Sequence, residues 1–116
     1  IYNHFQTRLG NLKQERFIIV ILDNKHRFLS ETTVTVGLLN RSLVHPREVF
    51  AEAIEQRAAA IICIHNHPSG DSSPSEEDKR ITRRLQESGE LLGIPLLDHI
   101  IISKEDFTSF ADEGWL

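Results

Sequence analysis

Apolar residues fall in short blocks along this chain, separated by polar punctuation, and the period inside each block predicts its element. Residues 17–22 are apolar without interruption. The strand predicted over 17–23 is therefore covered on both faces and central in a sheet. Asp23, Asn24, Lys25 and His26 supply turn chemistry. Residues 27–36 alternate and are rich in Thr and Val, which predicts the second strand of a hairpin, closed by Gly37. Pro46 opens a helix running to about Arg57, because proline is favoured in a first turn, where its missing N–H costs nothing. Val49, Phe50, Ala53 and Ile54 share one face of it, as a core-facing helix needs. Residues 60–64 form a third strand that runs into a histidine-rich segment. Residues 75–88 form a second helix, with Ile81, Leu85 and Leu92 as apolar positions and Gly89 as its stop. Residues 96–103, with three consecutive isoleucines, form a fourth strand. Residues 1–14 read as a helix or linker joined to something upstream, so the chain is expected to be the C-terminal part of a longer protein. The tail from 104 is mixed, and Trp115 is expected to cover an exposed sheet edge. Strands alternating with helical patterns indicate α/β or α+β architecture.

Composition narrows this picture. A chain of 116 residues, 40% hydrophobic and 26% charged, suits one soluble domain over 1–116. The apolar runs at 17–22 and 58–64 fall far short of the roughly 18 residues of a membrane span, so no membrane partner is expected. Nothing at the N-terminus reads as a secretion leader. The lone cysteine, Cys63, excludes an intrachain disulfide and favours a cytoplasmic setting. Lying inside an apolar run, it reads as a small buried hydrophobe rather than a nucleophile. Thirteen Lys and Arg against seventeen Asp and Glu give a net charge of −4, which argues against DNA binding by this domain alone. Lys79, Arg80, Arg83 and Arg84 read as a solvated helix face.

The segment from His65 to Asp78 carries the candidate chemistry. On a strand, His65 and His67 point to the same side. The loop after them is stiffened by Pro68 and Pro74 and freed at Gly70 for a tight reversal, which brings the next helix back beside the histidines. Asp78 lies on the first turn of that helix, on the same face as Ser75. Two imidazoles and a carboxylate would hold one divalent metal and leave a fourth position for water, as in a catalytic zinc site. Ser75-x-x-Asp78 is equally the spacing of a capping box, and Ser75 can cap the helix and still face a reacting centre. Adjacent placement of His65, Asn66 and His67 does not fit an HNH nuclease. A zinc deaminase needs H-x-E with P-C-x-x-C, which is absent. His4 and His26 read as surface residues, and His45 as a loop residue before Pro46. Asp98 or His99 could orient a metal ligand from behind.

His65-x-His67, seven residues, then Ser75-x-x-Asp78 is similar to the motif of the JAMM, or MPN+, metalloproteases. The fuller text from His65 to Asp71 with Pro74-Ser75 resembles the RadC branch of that superfamily. So do Val44-His45-Pro46-Arg47-Glu48-Val49-Phe50 and Leu97-Asp98-His99-Ile100. The likeness covers residues 15–109. It implies an α/β fold with a mixed sheet flanked by helices, related to the cytidine deaminases. It implies zinc held by His65, His67 and Asp78, and an oxyanion-stabilising role for Ser75. It also implies a glutamate near the first strand as general base, which Glu15 fits best, with Glu31 as the competing candidate. The resemblance further implies a zinc-dependent hydrolase, a metallopeptidase or isopeptidase acting on a peptide or protein. The alternative is a non-catalytic metal-binding interaction module linked to DNA repair or recombination. His2Asp sites accept other divalent ions, so the metal is open. An exposed strand edge could pair two copies into a homodimer.

Overall fold

In the computed structural model, residues 2–37 and 44–116 are described. Five strands and three helices follow in the order α1 (Tyr2–Leu9), β1 (Arg16–Leu22), β2 (Phe28–Val36), α2 (Pro46–Glu55), β3 (Ala60–Asn66), α3 (Glu76–Leu92), β4 (Leu96–Ile102) and β5 (Phe107–Ser109). The strands form one mixed sheet in the order β2-β1-β3-β4-β5. β1 runs antiparallel to both β2 and β3, β3 and β4 are parallel, and β5 returns antiparallel on β4. The expected mixed α/β sheet with flanking helices is what the chain forms.

The period-2 pattern decides the layers. Phe17, Ile19 and Ile21 of β1 and Ile61 and Cys63 of β3 pack on the α2 and α3 side, with Val49, Phe50, Ala53, Ile81 and Leu85. Ile18, Val20 and Leu22, with Ile64, Ile100 and Ile102, face the other way, under Phe5 and Leu9 of α1. A strand buried on both faces must read apolar throughout, and β1 does. Burying a side chain of this size contributes roughly 1.5–3 kcal/mol, so this double-sided strand is a main source of cohesion.

Several boundaries differ from expectation for identifiable reasons. The turn after β1 is fixed by Asp23, whose Oδ1 accepts the N–H groups of Lys25 and Arg27 at 2.9 Å each. Ile54 is 53% exposed rather than core-facing, because α2 packs through Val49, Phe50 and Ala53. α3 does not stop at Gly89. It continues to Leu92 and ends at Gly93, whose φ of 75° is the left-handed cap conformation. Gly89 serves close packing instead: a Cβ there would lie 2.5 Å from the Ile94 carbonyl oxygen and 3.3 Å from Phe50. Leu92, read as an apolar helix position, is largely exposed. The sheet edge beyond β4 is taken by β5, a short strand within the mixed tail. Trp115 packs edge-on to Phe110, with ring centroids 5.3 Å apart, and Lys79 of α3 lies over its ring.

Candidate metal centre

β3 extends through Asn66, and the His67 N–H continues its pairing by donating to the Ile102 carbonyl at 2.8 Å. His65 and His67 therefore share the α3 side of the sheet, as their parity predicts, with rings edge-on at 4.8 Å. The following loop reverses at Gly70, where φ is 91°, a conformation glycine adopts without strain. The loop is fastened by Ser72, hydrogen-bonded to Thr108 at 3.0 Å. It returns the chain to Ser75, the N-cap of α3.

The capping box is present. Ser75 Oγ accepts the Asp78 N–H at 3.0 Å, and Asp78 Oδ2 accepts the Ser75 N–H at 2.8 Å. The same carboxylate adjoins both histidines: Oδ2 lies 3.0 Å from His67 Nε2, and Oδ1 lies 3.5 Å from His65 Nδ1. Capping and contact with the histidines are thus one geometry, because a first-turn carboxylate folded back onto its own N-cap points toward the end of β3.

His67 is served on both sides. Nδ1 lies 2.9 Å from the Asp71 carbonyl oxygen and Nε2 lies 3.0 Å from the Asp78 carboxylate. Neither the carbonyl nor the carboxylate donates, so both ring nitrogens face acceptors, which favours the protonated ring. Burial works to lower the His67 pKa, but the hydrogen bonds to Asp78 and Asp71 and the charges of Asp78 and Glu15 prevail and raise it. Burial works to raise the Asp78 carboxyl. The His67 hydrogen bond, the adjacent His65 and the Ser75 N–H together hold it well below the usual carboxylate range.

His65 is the opposite case. It is 1% exposed, and both ring nitrogens are buried without a hydrogen-bond partner. A buried imidazole in that state is costly, and a metal ion on one nitrogen would remove part of that cost. The donor set, two imidazoles beside two carboxylates, fits a divalent cation such as zinc.

Glu15 and Glu31 are placed very differently. Glu15 Oε1 lies 3.8 Å from His65 Nε2. Glu31 sits on β2 opposite Val20 and is paired with Arg8 at 2.6 Å. Among the described residues, the candidate ligand atoms within 4.8 Å of one another belong to Glu15, His65 and His67. Asp78 adjoins the two histidines as the fourth member. A cleft of about 400 Å³, lined by Lys13, Gln14, Glu15, Gly37 and Pro68, opens beside Glu15.

One contributor escaped the sequence reading. Asn66 points to the other sheet face and is buried. Its Oδ1 accepts the Arg16 N–H at 2.6 Å, and its Nδ2 donates to the Gln14 carbonyl at 3.0 Å. The carboxamide thus clamps the backbone on both sides of Glu15. The only sequence signal was a polar side chain of opposite parity to His65 and His67 at the end of a strand that is apolar from Ala60 to Ile64.

A family model described as the RadC-like JAB domain matches residues 1–115. The chain is 53% identical over 116 residues to a UPF0758 protein of Syntrophotalea carbinolica, covering all of this chain and 51% of the relative. It is 55% identical over 105 residues to a UPF0758 protein of Bacillus licheniformis, covering 90% of this chain and 47% of the relative. A UPF0758 protein of Methanospirillum hungatei is 54% identical over 110 residues, which is 95% of this chain and 49% of the relative. The chain spans about half the length of these curated relatives.

Proposed function

Because the chain belongs to the RadC-like JAB domain family, we propose that it is a zinc-dependent hydrolase that cleaves amide or isopeptide bonds in a peptide or protein substrate. The observation that carries this reading is His65, buried with both nitrogens unpartnered among His67, Asp78 and Glu15. His65, His67 and Asp78 would hold the ion. Zinc bound there would supply Lewis acidity and bring the pKa of coordinated water down from 15.7 toward about 7.

The rest is done by the chain's own groups. Glu15, at the mouth of the cleft, accepts the proton of the attacking water and hands it to the leaving amine. The Asn66 clamp holds the Glu15 backbone still while it does so. Ser75 Oγ already accepts the Asp78 N–H, so its own proton is available to the substrate carbonyl oxygen as charge builds there. A donor in that role typically contributes about 2.7–4 kcal/mol to lowering the barrier. A cytoplasmic setting fits the buried lone thiol.

The test begins with metal stoichiometry. Wild type is expected to bind one zinc per chain, and His67→Ala and Asp78→Asn to lose it. Asp78→Asn keeps an oxygen for the Ser75 N–H, so its loss of metal reports ligation rather than capping. Glu15→Gln should keep the zinc and lose chelator-sensitive cleavage of a peptide and isopeptide library. Zinc lost with Glu15→Gln would make Glu15 a ligand instead of the base. A wild type that binds zinc and cleaves nothing would favour the interaction module.

A further inference from the structure

The two histidines of the centre differ in what stands behind them. His67 has the Asp71 carbonyl as acceptor for its Nδ1–H. His65 makes no such hydrogen bond, its nearest acceptors being Asp78 Oδ1 at 3.5 Å from Nδ1 and Glu15 Oε1 at 3.8 Å from Nε2, and a metal would occupy only one of its two nitrogens. The other would remain a buried N–H, whereas metal-bound imidazoles almost always donate that proton to an acceptor.

A third buried, unpartnered nitrogen lies nearby: Nε2 of His99 on β4. Its chemistry follows from the other side of the ring. His99 Nδ1 is 2.6 Å from Thr82 Oγ1, and that hydroxyl donates its single proton to the Asp78 carbonyl at 2.7 Å. Thr82 can therefore only accept from His99, which places the proton on Nδ1 and leaves Nε2 with a lone pair. The rings of His65 and His99 have centroids 5.8 Å apart and planes 30° apart, which makes His99 a neighbour of His65 with an unused nitrogen. His65 Nδ1 lies on the Asp78 side, and the next turn of α3 carries Thr82, which holds His99.

We propose that His99 is a positioning residue whose Nε2 accepts a hydrogen bond from Nδ1–H of His65, fixing the His65 tautomer so that Nε2 faces Glu15 and His67 as a ligand. This rests on the metal-centre reading. The bond completes a chain from His65 through His99 and Thr82 to the Asp78 main chain, tying the ligand on β3 to the ligand on α3. His99 is itself locked in place by stacking on Phe110, with centroids 4.8 Å apart and planes 18° apart.

The experiment is nitrogen-15 NMR of histidine-labelled, zinc-loaded chain, with zinc affinity measured by chelator competition. Wild type is expected to show His65 with metal on Nε2 and a proton on Nδ1, and scalar coupling across an N–H···N bond to His99. His99→Phe keeps the ring and removes the acceptor, and should weaken zinc binding about 10–100-fold. His99→Gln restores an acceptor and should recover most of that loss. Stoichiometric zinc in wild type with no coupling between the two rings, or with Nδ1–H donated to Asp78 Oδ1, overturns the proposal while leaving the metal centre standing. Unchanged zinc affinity in His99→Phe does the same. A wild type that takes up no zinc overturns the metal centre and this proposal together.

Discussion

Protonation of single residues sets how the centre responds to pH. His67 is raised and Asp78 depressed by the same contact. In the metal-free chain, the raised His67 contributes stability that is present below about 6.5, the usual histidine value, and is lost as pH rises through the higher folded value. The depressed Asp78 contributes stability that is present above about 3.9 and is lost as pH falls through its folded value. The metal-free fold is thus expected to be firmest between those limits. Zinc must displace the Nε2 proton of His67, so apparent zinc affinity should climb by up to about tenfold per pH unit until His67 is neutral. Chelator competition across a pH series measures this, and a flat profile would contradict the raised His67 pKa. Cys63 belongs to this scale too. It is fully buried, and burial, then Asp98, pushes its thiol up. Native protein should leave thiol reagents unreacted until denaturant is added. Parity and spacing made His65, His67, Ser75 and Asp78 legible in the sequence. They could not reveal Asn66, whose partners lie 50 and 52 residues away and are set only by the β1–β3 pairing.

At the scale of elements, two positions on α3 separate competing effects. Gly89→Ala would gain about 1 kcal/mol of helix propensity. Its Cβ would meet the Ile94 carbonyl at 2.5 Å, a backbone atom that cannot step aside. Overpacking of this kind costs about 1–3 kcal/mol. A lowered melting temperature is expected, and a raised one would show that the α3–β4 turn has slack. Ser75→Ala should cost about 1 kcal/mol through the lost cap, whereas Ser75→Asp keeps a capping oxygen and removes the hydroxyl proton. If Ser75 serves the reaction, Ser75→Asp is expected to hold stability in thermal melts while losing about 10²–10³ in turnover. The Gly89 and β5 boundaries were illegible for one reason. A glycine near a helix end reads as a stop unless the neighbouring backbone is known, and a three-residue edge strand leaves no periodic trace.

Over the whole molecule, the parallel β3–α3–β4 connection sets where the candidate metal centre sits. Ligands in such sheets gather outside the carboxyl ends of parallel strands, and His65 and His67 stand at that end of β3. The opposite sheet face is covered more thinly. Among the described residues, α1 supplies its helical cover through Phe5 and Leu9, and a cleft of about 680 Å³ runs between His4, Phe28, Ile62 and Leu97. Phe5→Ala should cost about 3–5 kcal/mol and raise binding of a hydrophobic dye in the native baseline. An unchanged melt would mean that α1 is dispensable. No described helix is long and apolar enough to cross a membrane. The layer order was legible because β1 and β3 are apolar on both faces, while the strand order required the pairing itself.

The alternation at the end of β3 has a further consequence. Imidazoles point one way and the carboxamide between them points the other, so a single inserted or deleted residue in that strand would swap their faces. The amide would enter the space beside Asp78 and both rings would turn toward α1. Substitutions there can be graded in effect, but length changes cannot. Indels should be tolerated in the loop at 68–73 long before any is tolerated at 60–66.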